Sequence, residues 1–287
     1  MSEGVTAFAA FEQKWLAAFP ENNVLRVFLS PADRMLNAAF GSLVFELEQT
    51  VLHIAETQIA ATKLNWWSEE LERASTQQAR HPIIQTLFAD ARARAIAPDF
   101  WQALVRGAAA QLVVESNADF ASQIAQAQSF SLPLARIENQ LFFADSVDRD
   151  SDITAAASLA ACAQLLRQLA ILPQELQQGR LPLPLSLLAR HQLHRENLLV
   201  ASAQRTAAIR DYLNTLAAEI RAALAFDPIL NLGRRVRARL DLALIKRALR
   251  DADPLQALSR DPGTSPWRSL WFGWSAARAL AIRRRRH

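Results

Sequence analysis

The sequence predicts an all-α fold, and three observations carry that prediction. Alanine, leucine, glutamine and arginine dominate the chain, and all four favour helices. Glycine is limited to 7 of the 287 residues. Apolar residues recur every three to four positions, which is the spacing of a helix buried on one face. No repeat or long linker divides the chain, so we expect a single-domain bundle of about ten helices over residues 1–282, followed by a basic tail over residues 283–287.

Two helices have particularly clear local signals. Ser30 is expected to cap a helix that begins at Pro31 and runs to about His53. The next helix contains the adjacent residues Trp66 and Trp67. Neighbouring helical positions differ by about 100°, so one tryptophan should face the core and the other should lie at its margin.

The remaining helices are predicted from apolar spacing and from the positions of proline and polar caps. They are expected over residues 7–19, from Pro82, from Pro98, in one or two pieces over 116–143, behind a polar loop that ends with Ser151 or Asp152 as the cap, over 195–225, over about 228–250 and over 266–282.

Composition excludes several classes of protein. The single cysteine, Cys162, excludes an internal disulfide and any cysteine-rich metal site. We find no secretory leader pattern and no run of about 18 apolar residues that would span a membrane, so a cytoplasmic location is expected.

The net charge of +4 is concentrated in the arginines of residues 233–239 and 283–286. Such runs can meet an anionic membrane surface, or they can be a solvated face and a frayed tail. No aromatic residues alternate with them as in nucleic-acid-binding strands, so no nucleic-acid partner is expected.

Five segments, in this order, carry a resemblance to a known family. They are LSPADRMLNAAF (residues 29–40), KLNWWSEELER with a following HP (63–82), LAACAQLLRQL (159–169), GRLPLP (179–184) and SLWFGWSAARAL (269–280). Together they resemble the squalene/phytoene synthase family, whose members join two prenyl diphosphates head to head. The resemblance implies a helical bundle of the isoprenoid (terpenoid) synthase type.

The resemblance also implies a chemistry. Enzymes of the family ionise a prenyl diphosphate with Mg²⁺ ions, which are held by carboxylates from two facing helices beside an apolar cavity. In this sequence the acidic positions of the first motif fall on Leu47, Glu48 and Val51, and the second motif falls on Gln164, Arg167, Gln168 and Leu172. Glu46 is acidic too, but it lies about 160° around the helix from Glu48.

We therefore predict a squalene/phytoene synthase-like pseudoenzyme that has lost Mg²⁺-dependent prenyl transfer. No metal site and no cofactor are expected. Glu48 is the candidate catalytic residue, and the candidate substrate-binding residues are Arg167, Arg180, Gln164 and Gln168. For the two arginines, an anionic headgroup and an internal salt bridge are equal alternatives. The protein would retain a central cavity for an isoprenoid or lipid, lined mainly by apolar groups, or it would have a scaffold or assembly role.

Two other functions remain open. One is an active prenyltransferase that condenses prenyl diphosphates with Mg²⁺ and displaced carboxylates, Glu48 together with Glu46. The other is a membrane-peripheral assembly factor, because the segment around GRLPLP also resembles assembly factors of the respiratory NADH dehydrogenase. An isoprenoid diphosphate, a lipid and the inner face of the membrane are the partners that these alternatives imply.

Overall fold

The structure is a computed structural model that describes residues 3–113, 115–143, 150–260 and 265–284. Within these ranges it contains fifteen α-helices, three 3₁₀ turns and no strand. The helices are α1 (Glu3–Ala18), α2 (Glu21–Leu25), α3 (Pro31–His53), α4 (Thr57–Ser75), α5 (Pro82–Ala89), α6 (Ala91–Ala95), α7 (Pro98–Ala110), α8 (Phe120–Phe143), α9 (Asp150–Ala170), α10 (Leu172–Gln177), α11 (Leu185–Arg190), α12 (Ala203–Ala225), α13 (Leu232–Ala248), α14 (Pro254–Ser259) and α15 (Pro266–Arg284). The 3₁₀ turns are Arg26–Phe28, Gln111–Val113 and Arg195–Leu199.

The two best-marked helices form as predicted. The Ser30 hydroxyl accepts a hydrogen bond from the Asp33 N–H at 3.1 Å, and α3 begins at Pro31 and ends at His53. On α4, Trp67 is 1% exposed and Trp66 is 39% exposed. One tryptophan therefore packs in the core and its neighbour lies at the edge, as the 100° step requires.

Two predicted boundaries in the second half of the chain are wrong. The expected helix over residues 195–225 is interrupted, because Ser202 adopts an extended backbone and caps α12 by accepting from the Arg205 N–H at 3.1 Å. The expected helix over residues 228–250 begins later, at Leu232. Asn231 caps it, and its side-chain oxygen accepts from the Arg234 N–H at 2.7 Å.

The segment 116–143 contains one helix, in agreement with the prediction of one or two; it begins at Phe120 and contains Pro133. Two smaller differences concern helix ends. Helix α9 already begins at Asp150, so Ser151 and Asp152 lie in its first turn and do not cap it. Helix α15 continues to Arg284, two residues past the predicted end. The polar loop over residues 145–149 and the last three residues of the basic tail lie outside the described residues.

Helices α8 and α9 run through the middle of the bundle. One apolar cluster lies mainly on α9, α12 and α13, and a second lies mainly on α3, α4, α5 and α7, while α8 contributes to both. Helix α9 is long and apolar enough to span a membrane, with a mean hydropathy of 1.2 in its best window, but 67% of that window is buried inside the protein. Burial of this kind is typical of a core helix.

The packing of α7 on α8 is close. A Cβ atom added to Gly107 would lie 2.1 Å from the backbone oxygen of Ser129. Only glycine permits this approach of the two backbones. The closely packed α7 and α8 form one wall of the region between α3 and α9. The resemblance places the prenyl diphosphate chemistry in that region.

Candidate functional site

An ion pair joins α3 and α9 at the centre of the candidate site. The Arg167 Nη2 donates to the Glu48 Oε1 at 2.6 Å, and the two side chains are only 24% and 14% exposed. The Arg167 guanidinium also lies 5.8 Å from the centroid of the Phe19 ring. The sole acidic residue among the aligned positions of the first motif is thus bound to a cation that the second motif supplies.

Glu46 does not join Glu48. It is 6% exposed and accepts from Lys14 Nζ at 2.7 Å and from Lys63 Nζ at 3.3 Å. These lysines come from α1 and α4, on a different side of α3 from α9. The two carboxylates therefore point apart, in agreement with the 160° offset, and they do not form a shared ligand set.

The position that the resemblance gives to the second motif's amide is occupied by a paired glutamine. Gln164 and Gln111 exchange two amide hydrogen bonds, at 2.5 Å from Gln164 Nε2 and at 3.3 Å from Gln111 Nε2. They are 5% and 8% exposed. Each amide donates one hydrogen bond to the other, so this neutral pair joins α9 to the turn that follows α7.

The two aspartate positions of the second motif lie in different surroundings. Gln168 lines a small cavity on α9. Leu172 lies past the end of α9, as the first residue of α10, and it is fully buried in the apolar core. A carboxylate at position 172 would thus not share a face of α9 with one at position 168.

Arg180 is held by a bidentate ion pair. Its Nε and Nη2 donate to the two carboxylate oxygens of Glu175 at 2.9 and 2.7 Å, and Nη2 also donates to the backbone oxygen of Leu52 at 3.0 Å. Gly179 precedes it with a φ of 82°, a left-handed conformation that glycine adopts without strain and that commonly ends a helix. The Gly-Arg pair thus ends α10 and ties it to the last turn of α3.

The space between these groups is small, and both polar and apolar groups line it. A cavity of about 40 Å³ lies beside α9, and its polar lining residues are Gln111, Gln123, Gln126, Gln164, Gln168, Glu115, Asn117, Glu175 and Arg180. That volume holds a few water molecules, whereas sites for organic ligands usually reach roughly 300 Å³ or more.

Directly between α3 and α9, only about 10 Å³ remains open. Leu47, Val51 and Leu52 are each at most 4% exposed and fill this space from the α3 side. The predicted apolar lining is confirmed for the opening where the two motifs face one another, but the opening is far smaller than a ligand cavity, because apolar side chains occupy most of the volume. The larger opening beside it also has amides and charged groups in its lining.

The Mg²⁺ that the resemblance implies does not fit the residues present. In the described ranges no group of three or more His, Cys, Asp or Glu side chains is arranged to hold a metal ion. Mg²⁺ needs oxygen ligands in near-octahedral order. Glu48 offers one carboxylate, and Arg167 already neutralises it.

Several residues of the site were not identified from the sequence. Tyr212 on α12 is fully buried, and its hydroxyl donates to Gln123 Oε1 at 2.9 Å. Gln123 in turn donates from Nε2 to the Pro182 oxygen at 2.9 Å. Burial raises the pKa of Tyr212, so the hydroxyl stays a donor. Gln111, Gln123, Tyr212 and Glu175 lie outside every quoted motif, and the five-residue spacing from Glu175 to Arg180 is not that of a helical charge pair.

The tryptophan-rich motif has a structural explanation. Glu70, three residues after Trp67, accepts from the His81 N–H at 2.6 Å and also from the Arg80 N–H and Arg73. Burial favours a higher pKa for Glu70, but these hydrogen bonds prevail and lower it, so the carboxylate stays charged. The His81 ring packs on Trp67 with centroids 4.8 Å apart. The spacing between the tryptophans and the His-Pro pair therefore joins α4 to the start of α5.

The fold is the all-α isoprenoid synthase fold. A sequence model of the squalene/phytoene synthase family matches residues 25–261, and the chain belongs to this family. A crystal structure of a dehydrosqualene synthase in complex with ligand is similar, with a TM-score of 0.72, 12% identity and 98% of each chain covered.

A second similar structure is that of the squalene synthase HpnC from Alicyclobacillus acidocaldarius, with a TM-score of 0.59 and 14% identity over 99% of this chain and 95% of the other. At these identities the two likenesses concern the fold. No curated protein sequence gives a significant match.

Proposed function

We propose that this member of the squalene/phytoene synthase family does not catalyse Mg²⁺-dependent prenyl transfer and acts as a scaffold or assembly protein. The observation that carries the proposal is the Glu48–Arg167 ion pair, 2.6 Å between Oε1 and Nη2, at the centre of the site. It places a fixed cation against the acidic residue of the first motif that a metal ion would need.

The chemistry explains why this matters. Ionisation of a prenyl diphosphate releases a highly charged pyrophosphate, and bound Mg²⁺ ions supply most of the stabilisation of that charge. Each tenfold loss in rate corresponds to about 1.4 kcal/mol, so the loss of several ligands costs many powers of ten. Recruitment of Glu48 to a metal would also leave Arg167, only 24% exposed, without its counter-charge.

The small interior favours a scaffold over a lipid carrier. The opening beside α9 measures about 40 Å³, and an isoprenoid chain needs several times that volume. Both arginines expected at an anionic headgroup, Arg167 and Arg180, are engaged with Glu48 and Glu175. A diphosphate at either arginine would compete with the carboxylate that already binds it.

The proposal includes a cytoplasmic location at the inner face of a membrane. The arginines at residues 283–286 support it, since clustered arginine contributes roughly 1 kcal/mol per residue near anionic lipid. The resemblance to assembly factors of the respiratory NADH dehydrogenase is consistent with such a place, and a protein complex in that membrane is the partner it suggests.

Pyrophosphate release tests the catalytic part. The purified protein is incubated with farnesyl or geranylgeranyl diphosphate and Mg²⁺, with an active dehydrosqualene synthase as the positive control. We expect no release above the uncatalysed background from the wild type, from Glu48→Ala or from the surface control Glu72→Ala. Turnover by the wild type that Glu48→Ala abolishes and Glu72→Ala preserves would establish the active prenyltransferase alternative.

Mass spectrometry of lipids that co-purify with the protein tests the carrier alternative. We expect no isoprenoid or other lipid at a stoichiometric level after detergent-free purification. A single lipid at about one molecule per chain would show that the interior opens to hold it, and it would replace the scaffold role with a binding role.

A further inference from the structure

Helix α15 presents three exposed tryptophans on one face. Trp267, Trp271 and Trp274 are 79%, 63% and 44% exposed. Their spacing of four and three residues places them within an arc of about 60°. The opposite face is packed against α2 and α13, and its buried residues are Ser269, Gly273 and Ala276. One side of the helix therefore anchors it to the bundle and the other side is aromatic.

The exposed side chains form a continuous strip. The rings of Trp271 and Trp274 lie 5.4 Å apart, and the Arg278 guanidinium lies 5.4 Å from the Trp274 ring. With Leu270, which is 36% exposed, the strip from Trp267 to Trp274 extends for roughly 10 Å along the helix. The tryptophans alone leave roughly 400 Å² open to water, whereas soluble proteins usually scatter their exposed apolar residues singly.

The charge of this segment has one sign. Residues 266–287 contain six arginines and no aspartate or glutamate. Arg268 and Arg278 are exposed beside the tryptophans. Tryptophan prefers the boundary between lipid headgroups and acyl chains, and arginine pairs with lipid phosphates. A convex helix face of this composition is suited to lie on a flat anionic surface, and it offers no groove in which a peptide could bind.

We propose that the tryptophan strip of α15 (Trp267, Leu270, Trp271 and Trp274) docks the protein on an anionic lipid bilayer. The indoles enter the headgroup boundary, and Arg268 and Arg278 bind phosphates at its edge. This inference rests on the membrane location proposed above and names the surface responsible. It is independent of the proposed loss of prenyl transfer.

Vesicle co-sedimentation tests the strip. Wild type, the triple variant Trp267→Ser/Trp271→Ser/Trp274→Ser and a chain lacking residues 283–287 are mixed with phosphatidylglycerol–phosphatidylcholine vesicles or with pure phosphatidylcholine. Phe226→Ser is the matched control, because Phe226 is 90% exposed at the end of α12. Urea unfolding of each variant verifies that it remains folded.

We expect the triple variant to lose affinity for the anionic vesicles by about tenfold or more, and Phe226→Ser to bind as the wild type does. The chain without residues 283–287 should lose less, and salt at about 0.5 M should weaken the wild type without abolishing its binding. Quenching of wild-type fluorescence by brominated lipid should disappear in the triple variant.

Four outcomes would overturn the inference. Equal binding by the triple variant and the wild type would remove the strip from the interface, and a loss seen only in the truncated chain would assign binding to the tail alone. A wild-type dimer in sedimentation velocity that the triple variant dissociates would make the strip a self-association surface. Failure of the wild type to bind any vesicle would reject the membrane location itself.

Discussion

Arg167 on α9 and Glu48 on α3 meet at 2.6 Å although 119 positions separate them in the chain. Their ion pair occupies the region where a squalene/phytoene synthase fold would gather carboxylates around Mg²⁺. The Arg167 guanidinium supplies a permanent positive charge there and binds Glu48, the one acidic residue at the first motif's positions. The pair therefore joins α3 to α9 and, under the function proposed above, opposes the assembly of a metal site.

A double-mutant cycle measures this pair. Arg167→Ala leaves Glu48, 14% exposed, without its counter-charge, so we expect the free energy of unfolding to fall by about 1–3 kcal/mol. The double variant Glu48→Ala/Arg167→Ala should lose less than the sum of the two single variants. Urea unfolding provides the values, and strict additivity would mean that the pair is not coupled.

For the Gln111–Gln164 amide pair we also expect that loss of one partner costs more stability than loss of both. Gln164→Leu leaves the buried amide of Gln111 unpaired, which should cost about 1–3 kcal/mol in unfolding free energy. Replacement of both glutamines by leucine should recover part of that loss. Gln168→Leu, at a half-buried position on the same helix, is the control and should stay within about 0.5 kcal/mol of the wild type. Equal destabilisation by Gln168→Leu and Gln164→Leu would contradict a specific contribution of the Gln111–Gln164 pair to stability.

The close approach of α7 and α8 predicts a severe effect of one methyl group. Gly107→Ala places a Cβ 2.1 Å from the Ser129 backbone oxygen, so the two helices must separate, at a cost of about 1–3 kcal/mol or more. Gly233→Ala is the matched control, because its nearest atom would lie at 3.6 Å. In helix α13 that change should be neutral or stabilising by up to about 1 kcal/mol. Thermal unfolding of both variants distinguishes them, and equal shifts would refute the close packing.

His81 predicts a loss of stability in mild acid. Burial lowers the pKa of His81 below 6.5, with Glu70 and Glu46 opposing this and Lys63 adding to it. The unfolded chain therefore takes up the proton first. The neutral His81 ring contributes its full share of the free energy of unfolding above about pH 6.5. That contribution declines as the pH falls from 6.5 toward the pKa of His81 in the folded protein. The His81 Nδ1 also accepts from the Ile83 N–H at 3.3 Å, which requires the neutral ring.

Urea unfolding between about pH 7.5 and pH 5 checks this prediction. The wild type should lose stability across that range, and His81→Asn, which keeps a capping oxygen, should lose less. The pKa of Glu70 lies below 4.5, so its own contribution is lost only at lower pH and does not overlap. An identical slope for both proteins would exclude His81 as the group responsible.

Local signals explain what the sequence could predict. Ser30 and Pro31 start α3 through bonds within four residues, and the different burial of Trp66 and Trp67 follows from helical geometry alone. The break before Ala203 has no glycine or proline to mark it. It depends on the extended backbone of Ser202, which a pattern of helix-forming residues does not reveal.

The site itself depends on contacts that no short pattern contains. The sequence indicated that carboxylates are missing at Val51 and Gln168. It left open whether Arg167 binds a ligand or an acidic side chain, because only the tertiary fold brings Glu48 on α3 within reach of Arg167 on α9. Gln111 was not identified, since its partner Gln164 lies 53 positions away and amides carry no charge pattern.

The most direct measurement is a crystal structure grown with a non-hydrolysable prenyl diphosphate analogue and Mn²⁺ in place of Mg²⁺, so that anomalous scattering locates each metal ion. Our account predicts the Glu48–Arg167 pair intact and no metal ion between α3 and α9. Ordered Mn²⁺ ions that bridge side chains of these two helices to the diphosphate, with Arg167 displaced from Glu48, would contradict it.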